Sequence, residues 1–131
     1  MNQQELQKQR NDASSFVKNY HTKRNVIYLN THNSIQHELT KTRICYELQR
    51  QGKHFITEAK LDYGKKGIAD ILILDTREII EVMVSETRDQ VEYKTKKYPT
   101  KYTIIAVNGW EDYFNGNYEL IRSEVHKNAM W

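Results

Sequence analysis

Two acidic residues stand where acids are rarely found. Asp70 lies inside the apolar run Ile68-Ala69-Asp70-Ile71-Leu72-Ile73-Leu74, and Glu81 inside Ile79-Ile80-Glu81-Val82-Met83-Val84. Both runs read as buried strands, and a charge placed there needs a partner. If a hairpin turns through Asp75–Glu78, Leu74 pairs with Ile79, Leu72 with Glu81 and Asp70 with Met83. Asp70 and Glu81 then sit diagonally on one face, roughly 7–8 Å apart at the backbone. Ile71, Ile73, Ile80, Val82 and Val84 form the opposite, wholly apolar face. Converging carboxylates suit a hard divalent cation, which can activate water and stabilise a phosphodiester transition state. The structural alternative is a salt bridge from each acid to Lys or Arg.

The elements that must hold these acids follow from pattern. Residues 1–25 are polar and read as a tail or short helix, with Phe16, Val17 and Tyr20 as docking positions. Val26–Leu29 is a short apolar run, a strand or a helical turn. Asn30-Thr31-His32-Asn33 offers capping side chains to a helix over about 33–51. That helix carries one stripe of Ile35, Leu39 and Tyr46 and a second of Ile44 and Leu48, and Gly52 stops it. Strand-like runs follow at 54–60, 68–74 and 78–84, with turns at 62–67 and 75–77. Thr87 and Gln90 make a capping box for a second helix that ends at Tyr98-Pro99. Residues 102–107 form a fourth strand. The first three strands make an antiparallel meander. The helix between the third and fourth makes a crossover, so those two run parallel. The fold class is α/β, a mixed four-stranded sheet flanked by helices, with a core over 33–107. The extension 108–131 carries Trp110, Tyr113 and Phe114, a turn at Asn115-Gly116-Asn117 and a short strand near Tyr118–Ile121.

The 131 residues suit a single domain. The chain shows no glycine period, no long heptad run and no apolar stretch long enough to span a bilayer. Its opening residues lack a hydrophobic signal segment, and Cys45 is its one cysteine. A reducing, cytoplasmic setting is expected, with no disulfide and no cysteine-rich zinc site. The net charge of +3 is mild. The basic groups around Lys23 and Arg24, Lys41 and Arg43, and Lys65 and Lys66 are placed to hold phosphates, as solvated surface charges also would be. Tyr63 and the Trp110 cluster are candidates for stacking or dimerisation. The five histidines show no paired metal spacing, and His37 reads as an exposed helical residue. Glu58, in an alternating strand, reads as pointing outward.

With Glu38 on the first helix, Gly67-Ile68-Ala69-Asp70 entering the second strand and Glu81-Val82-Met83 on the third, the chain resembles the PD-(D/E)xK nucleases. The likeness is greatest to small resolvase-like members from archaea and viruses. It covers about residues 33–107. It implies an αβββαβ restriction-endonuclease-like core and a Mg²⁺- or Mn²⁺-dependent DNA endonuclease. Asp70, Glu81 and the Val82 carbonyl would ligate the ion, and Glu38 would do so through water or at a second ion. Four-way junctions are a substrate by family analogy, and cutting them calls for a homodimer. If the protein is viral, the expected setting is the host cytoplasm. The departure is Met83, which stands at the motif lysine. Methionine can neither orient water nor offset charge. Lys94 and Lys97, on the helix after the third strand, and Lys60, on the first strand, are the candidates to replace it. Ser85 shares the face of Glu81. The alternatives are a non-catalytic DNA-binding protein on the same fold, its lysine lost at Met83, and an interaction protein whose acids are merely salt-bridged.

Overall fold

The computed structural model describes residues 1–18, 22–61, 67–84 and 86–124. Tyr20, Tyr63, Lys65, Lys66 and Ser85, all singled out above, lie outside the described residues. The order of elements is α1 (Gln3–Ser14), α2 (Ile35–Arg50), β1 (Phe55–Lys60), β2 (Ile68–Ile73), β3 (Glu78–Val82), α3 (Arg88–Thr95), β4 (Thr103–Val107), α4 (Trp110–Asn115) and β5 (Glu119–Arg122). The run from α2 to β4 follows the expected order of helix, three strands, helix, strand. The sheet has five strands rather than four, in the order β1-β2-β3-β4-β5. Strands β3 and β4 run parallel, and the other neighbours are antiparallel.

Helices cover both faces. Ile44, Cys45 and Leu48 of α2, with Trp110, Tyr113 and Phe114 of α4, pack on Phe55, Ile71, Ile73, Ile80, Val82, Ile105 and Val107. The other face carries Ile56, Leu72, Ile79, Tyr102 and Ile104, capped by Ala13 of α1 with Phe16 and Val17 beyond it. Val91 of α3 packs there on Met83 and Ala106. The tail is thus partly a docked helix: Arg10 clamps Asp75, and the Tyr102 hydroxyl donates to the Ala13 carbonyl.

Several expectations are corrected. The β2–β3 register is Ile71↔Ile80, Leu72↔Ile79 and Ile73↔Glu78, two residues from the one expected. A shift of two keeps every side chain on its face, so the apolar set survives. Asp70 now falls opposite Glu81 rather than diagonal to it. The α2 stripe of Ile35, Leu39 and Tyr46 faces out, at 77%, 58% and 59% exposure, while Ile44 and Leu48 are buried. Residues 26–29 form neither strand nor helix. They lie along β1, where the Thr57 hydroxyl donates to the Val26 carbonyl and accepts from the Tyr28 N–H. Ser34, not the 30–33 segment, caps α2 by accepting from the His37 N–H. The Thr87–Gln90 capping box of α3 is present in full, but the helix ends at Thr95, before the expected proline stop.

Candidate active site

The ladder between β2 and β3 stops at Ile71↔Ile80. One place further on, Asp70 and Glu81 replace backbone pairing by side-chain contacts. The Val82 N–H donates to Asp70 Oδ2 (2.8 Å), and the Asp70 N–H donates to Glu81 Oε2 (3.1 Å). On the other side of β2, Thr57↔Ile71 and Ala59↔Ala69 are paired while Glu58, opposite Asp70, is left out of the ladder. Glu58 has φ +50°, a left-handed conformation that costs a non-glycine residue roughly 1–2 kcal/mol. Glu58, Asp70 and Glu81 therefore form one transverse row across three strands. All three are buried.

Three cations alternate with these acids. Lys94 of α3 places Nζ on Glu81 Oε1. His37 of α2 bonds Glu38 Oε2 through Nδ1 (2.7 Å) and Asp70 Oδ2 through Nε2 (3.2 Å). Lys41, one turn on, is fully buried and reaches Glu38 Oε1 (2.6 Å), Glu58 Oε2 (3.3 Å) and the Tyr28 carbonyl (2.8 Å). The 30–33 segment completes the frame. The Asn30 N–H and the Asn33 amide donate to Glu38, and the Asn30 amide donates to Glu58. A cleft of about 370 Å³ opens over this network, lined among others by Asn30, His32, Ser34, His37, Asp70 and Lys94.

The protonation states follow from this packing. Burial works against ionised Asp70, but Lys94, the His37 hydrogen bond and charge, and the Val82 N–H together hold its carboxyl below the usual range. Burial, reinforced by the charge on Asp70, pushes Glu81 up against the pull of Lys94. Burial opposes charge on Lys94 too, yet Glu81 and Asp70 keep it protonated well above its ordinary value. Desolvation likewise works against His37, and Asp70 and then Glu38 outweigh it, lifting the imidazole to about 9. Glu38 is lowered: burial raises it, and Lys41, the Asn30 N–H and His37 prevail.

Of the residues expected in a site, Glu38, Asp70, Glu81 and Lys94 come together, with Val82 joined through its N–H. Lys97 is exposed, and Lys60, partly buried, is absent from the described lining of the cleft. Lys41 cannot touch a phosphate backbone, because it is sealed beneath Glu38 and Glu58. Arg43 lies 4.1 Å from the Trp110 ring centroid, and Arg24 is held by Asn11 and Ser14 of α1. Lys23 is exposed. Two readings are overturned: His37 is buried rather than exposed, and Glu58 is buried rather than outward-facing. The signal for His37 was its place beside Glu38 in the first turn of α2. Glu58 gave none, since a left-handed residue in a strand has no side-chain signature outside glycine, asparagine and aspartate.

The donors that Asp70, Glu81 and the Val82 carbonyl would offer are all oxygens, which suits a hard cation in chemistry. Among the described residues no three His, Cys, Asp or Glu side chains converge closely enough to hold a metal ion by themselves. Asp70 and Glu81 would supply two carboxylates, a set that Mg²⁺ accepts when water fills the remaining positions. No helix of the described residues is long and apolar enough to cross a membrane. Comparisons with protein-family models, curated proteins and solved structures find no match to this chain.

Proposed function

We propose that this chain is a divalent-metal-dependent DNA endonuclease of the PD-(D/E)xK kind, hydrolysing phosphodiester bonds. The observation that carries this reading is Lys94 on Glu81. Lys94 of α3 ion-pairs with Glu81, two residues before Met83, and would supply the cation that the motif lacks at Met83. That weighs against a non-catalytic relic, the reading that rests on the loss of the lysine. The element order from α2 to β4 and the Asp70–Glu81 pair support the same reading.

Asp70 and Glu81, with the Val82 carbonyl, would hold Mg²⁺ or Mn²⁺, which when bound supplies an activated water and a Lewis acid for the phosphoryl oxygens. Lys94 would offset the negative charge that builds on the phosphoryl oxygens and would orient the attacking water by hydrogen bonding. Asn30 and Asn33 fix Glu38 so that its carboxylate keeps one orientation toward His37. Branched DNA is the substrate class proposed, acted on by two copies of the chain so that paired incisions are made.

The test is cleavage of labelled duplex, single-stranded and four-way-junction DNA with Mg²⁺, Mn²⁺ or EDTA, using wild type beside Glu81→Ala. Metal-dependent cutting that the variant lacks is the expected result. Binding without cutting of any of the three substrates would return the reading to a DNA-binding relic.

A further inference from the structure

Helix α2 is built inside out. Its buried side carries His37, Glu38, Lys41 and Glu47 beside Ile44 and Leu48. Ile35, Leu39 and Tyr46 stand in solvent instead, more than half exposed. With Thr42 these three are spaced by four, three and four residues. That is the spacing of a helix-pairing seam. At 3.6 residues per turn it makes one stripe on the side of α2 opposite the sheet. Thr42 is half-buried, and its hydroxyl donates to the Glu38 carbonyl (2.8 Å), so it is satisfied within its own helix. A contiguous apolar stripe of this kind is uncommon on a chain that works alone.

We propose that this stripe is the contact between two copies of the chain, their α2 helices paired antiparallel about a two-fold axis between Thr40 and Lys41. Symmetry, charge and size all fit a second copy. The axis sets Ile35 against Tyr46 of the second copy and Leu39 against its Thr42, large opposite small at the centre. Arg43 flanks the stripe, yet its charge is answered within the chain by Glu47 at 3.6 Å and by the Trp110 ring, whose centroid lies 4.1 Å away. Arg50 also turns back to Glu47 (2.9 Å). Across the axis Arg43 falls near Gln36 of the second copy, an amide and not a like charge. The helix is about 24 Å long at 1.5 Å per residue. Two such faces, widened by Arg43 and Trp110, bury on the order of 1,000 Å², where biological interfaces begin. His37, which lines the cleft, belongs to the buried side of α2, so the pairing leaves both clefts open. The pairing stands on α2 alone, and it supplies the surface that the two copies of the endonuclease reading need.

The test is sedimentation of the full chain over a range of micromolar concentrations, wild type beside Leu39→Glu and Tyr46→Glu. Wild type should sediment at twice the chain mass. Either charge enters the seam twice, once from each copy, and should weaken association at least about 100-fold. Both positions face solvent, so far-UV circular dichroism should match wild type, and Tyr46→Glu serves where Leu39→Glu does not fold. Direction is read by oxidising a mixture of Leu39→Cys and Thr42→Cys chains. Antiparallel pairing joins one of each, whereas parallel pairing joins like to like and would overturn the arrangement. A monomeric wild type, or a dimer that both glutamate variants leave intact, would overturn the inference. So would a monomer whose binding to duplex DNA is lost in Leu39→Glu, since the stripe would then belong to nucleic acid. None of the mass measurements needs DNA or a metal ion. A dimer that cuts no DNA leaves this inference standing while the endonuclease reading falls, and a monomer that cuts does the reverse.

Discussion

Asp70 and Glu81 hold each other by exchanging side chain for backbone where their strands part. Asp70 Oδ2 accepts from the Val82 N–H, and Glu81 Oε2 accepts from the Asp70 N–H. Each acid thus satisfies a backbone donor that the ended ladder would leave bare. Each also keeps its second oxygen for other work. Glu81 gives Oε1 to Lys94, and Asp70 Oδ1 receives no hydrogen bond from the described residues. Burial and the charge on Asp70 push Glu81 up against the pull of Lys94, whereas Lys94, His37 and the Val82 N–H overcome burial and hold Asp70 low.

Lys94 should therefore be the most sensitive lysine of the chain. Lys94→Met leaves Asp70 and Glu81 without their shared cation, and the cleavage rate should drop by at least about 100-fold. Lys97→Met and Lys60→Met should stay within about threefold of wild type, as surface changes usually do. Adding Met83→Lys to Lys94→Met returns a lysine to the third strand beside Glu81 and should recover part of the lost rate. Single-turnover cleavage of labelled DNA checks all four. Equal losses for Lys97 and Lys94 would remove the special role of Lys94.

Lys41 has no water to fall back on. It is fully buried between Glu38, Glu58 and the Tyr28 carbonyl. Lys41→Met leaves two buried carboxylates facing each other and should destabilise the fold by about 3–5 kcal/mol. Adding Glu58→Gln removes one of the stranded charges, so the double variant should be more stable than the sum of the single changes. Urea denaturation of the three variants measures this directly.

What the sequence could and could not show follows from these contacts. The strands were legible because 68–74 and 78–84 are nearly unbroken apolar runs between turn residues, and α3 because Thr87 and Gln90 spell its cap. The register was not, because the turn depends on Arg77 at φ +55°, a conformation that nothing in Asp75-Thr76-Arg77 announces. Hydrophobic pattern also misled at α2. Its buried face is built partly from His37, Glu38, Lys41 and Glu47, while Ile35, Leu39 and Tyr46 are outside. A helix that carries charges inward in compensated pairs cannot be oriented by apolar residues alone. Helix α4 spans six residues, too few to show a helical period, and its aromatics read only as a patch.

Acid sensitivity should trace in part to Asp75, far from the cleft. Asp75 accepts from Arg10 and from the His54 N–H. Burial raises its carboxyl, but the Arg10 hydrogen bond, the His54 N–H and the Arg10 charge prevail and lower it. A carboxyl lowered in the folded state contributes stability that is fully present above its unfolded value near ~4 and is lost as pH falls through its folded value. Asp75→Asn should cost roughly 3 kcal/mol at neutral pH. The gap from wild type should close in strong acid, where both chains are uncharged at this position. Paired urea curves at neutral and acid pH give the comparison, and a pH-independent gap would refute it.

Cys45 offers a report on opening of the same helix. It is fully buried against the sheet, and burial pushes its thiol up to about 12, with the Lys41 charge only partly opposing that. The thiolate is the reactive form, so an aromatic disulfide reagent should leave the native chain unlabelled and modify its one cysteine at once in concentrated guanidinium. Lys41→Met separates the two causes of this inertness. Loss of the lysine charge removes the one influence that lowers the thiol, so thiolate chemistry alone would slow labelling. Loss of the buried ion pairs destabilises α2 and makes opening more frequent. Labelling requires opening of the α2–sheet contact, so the variant should react faster than wild type despite the less acidic thiol. Slower labelling in Lys41→Met would show instead that the reagent reaches Cys45 in the closed protein.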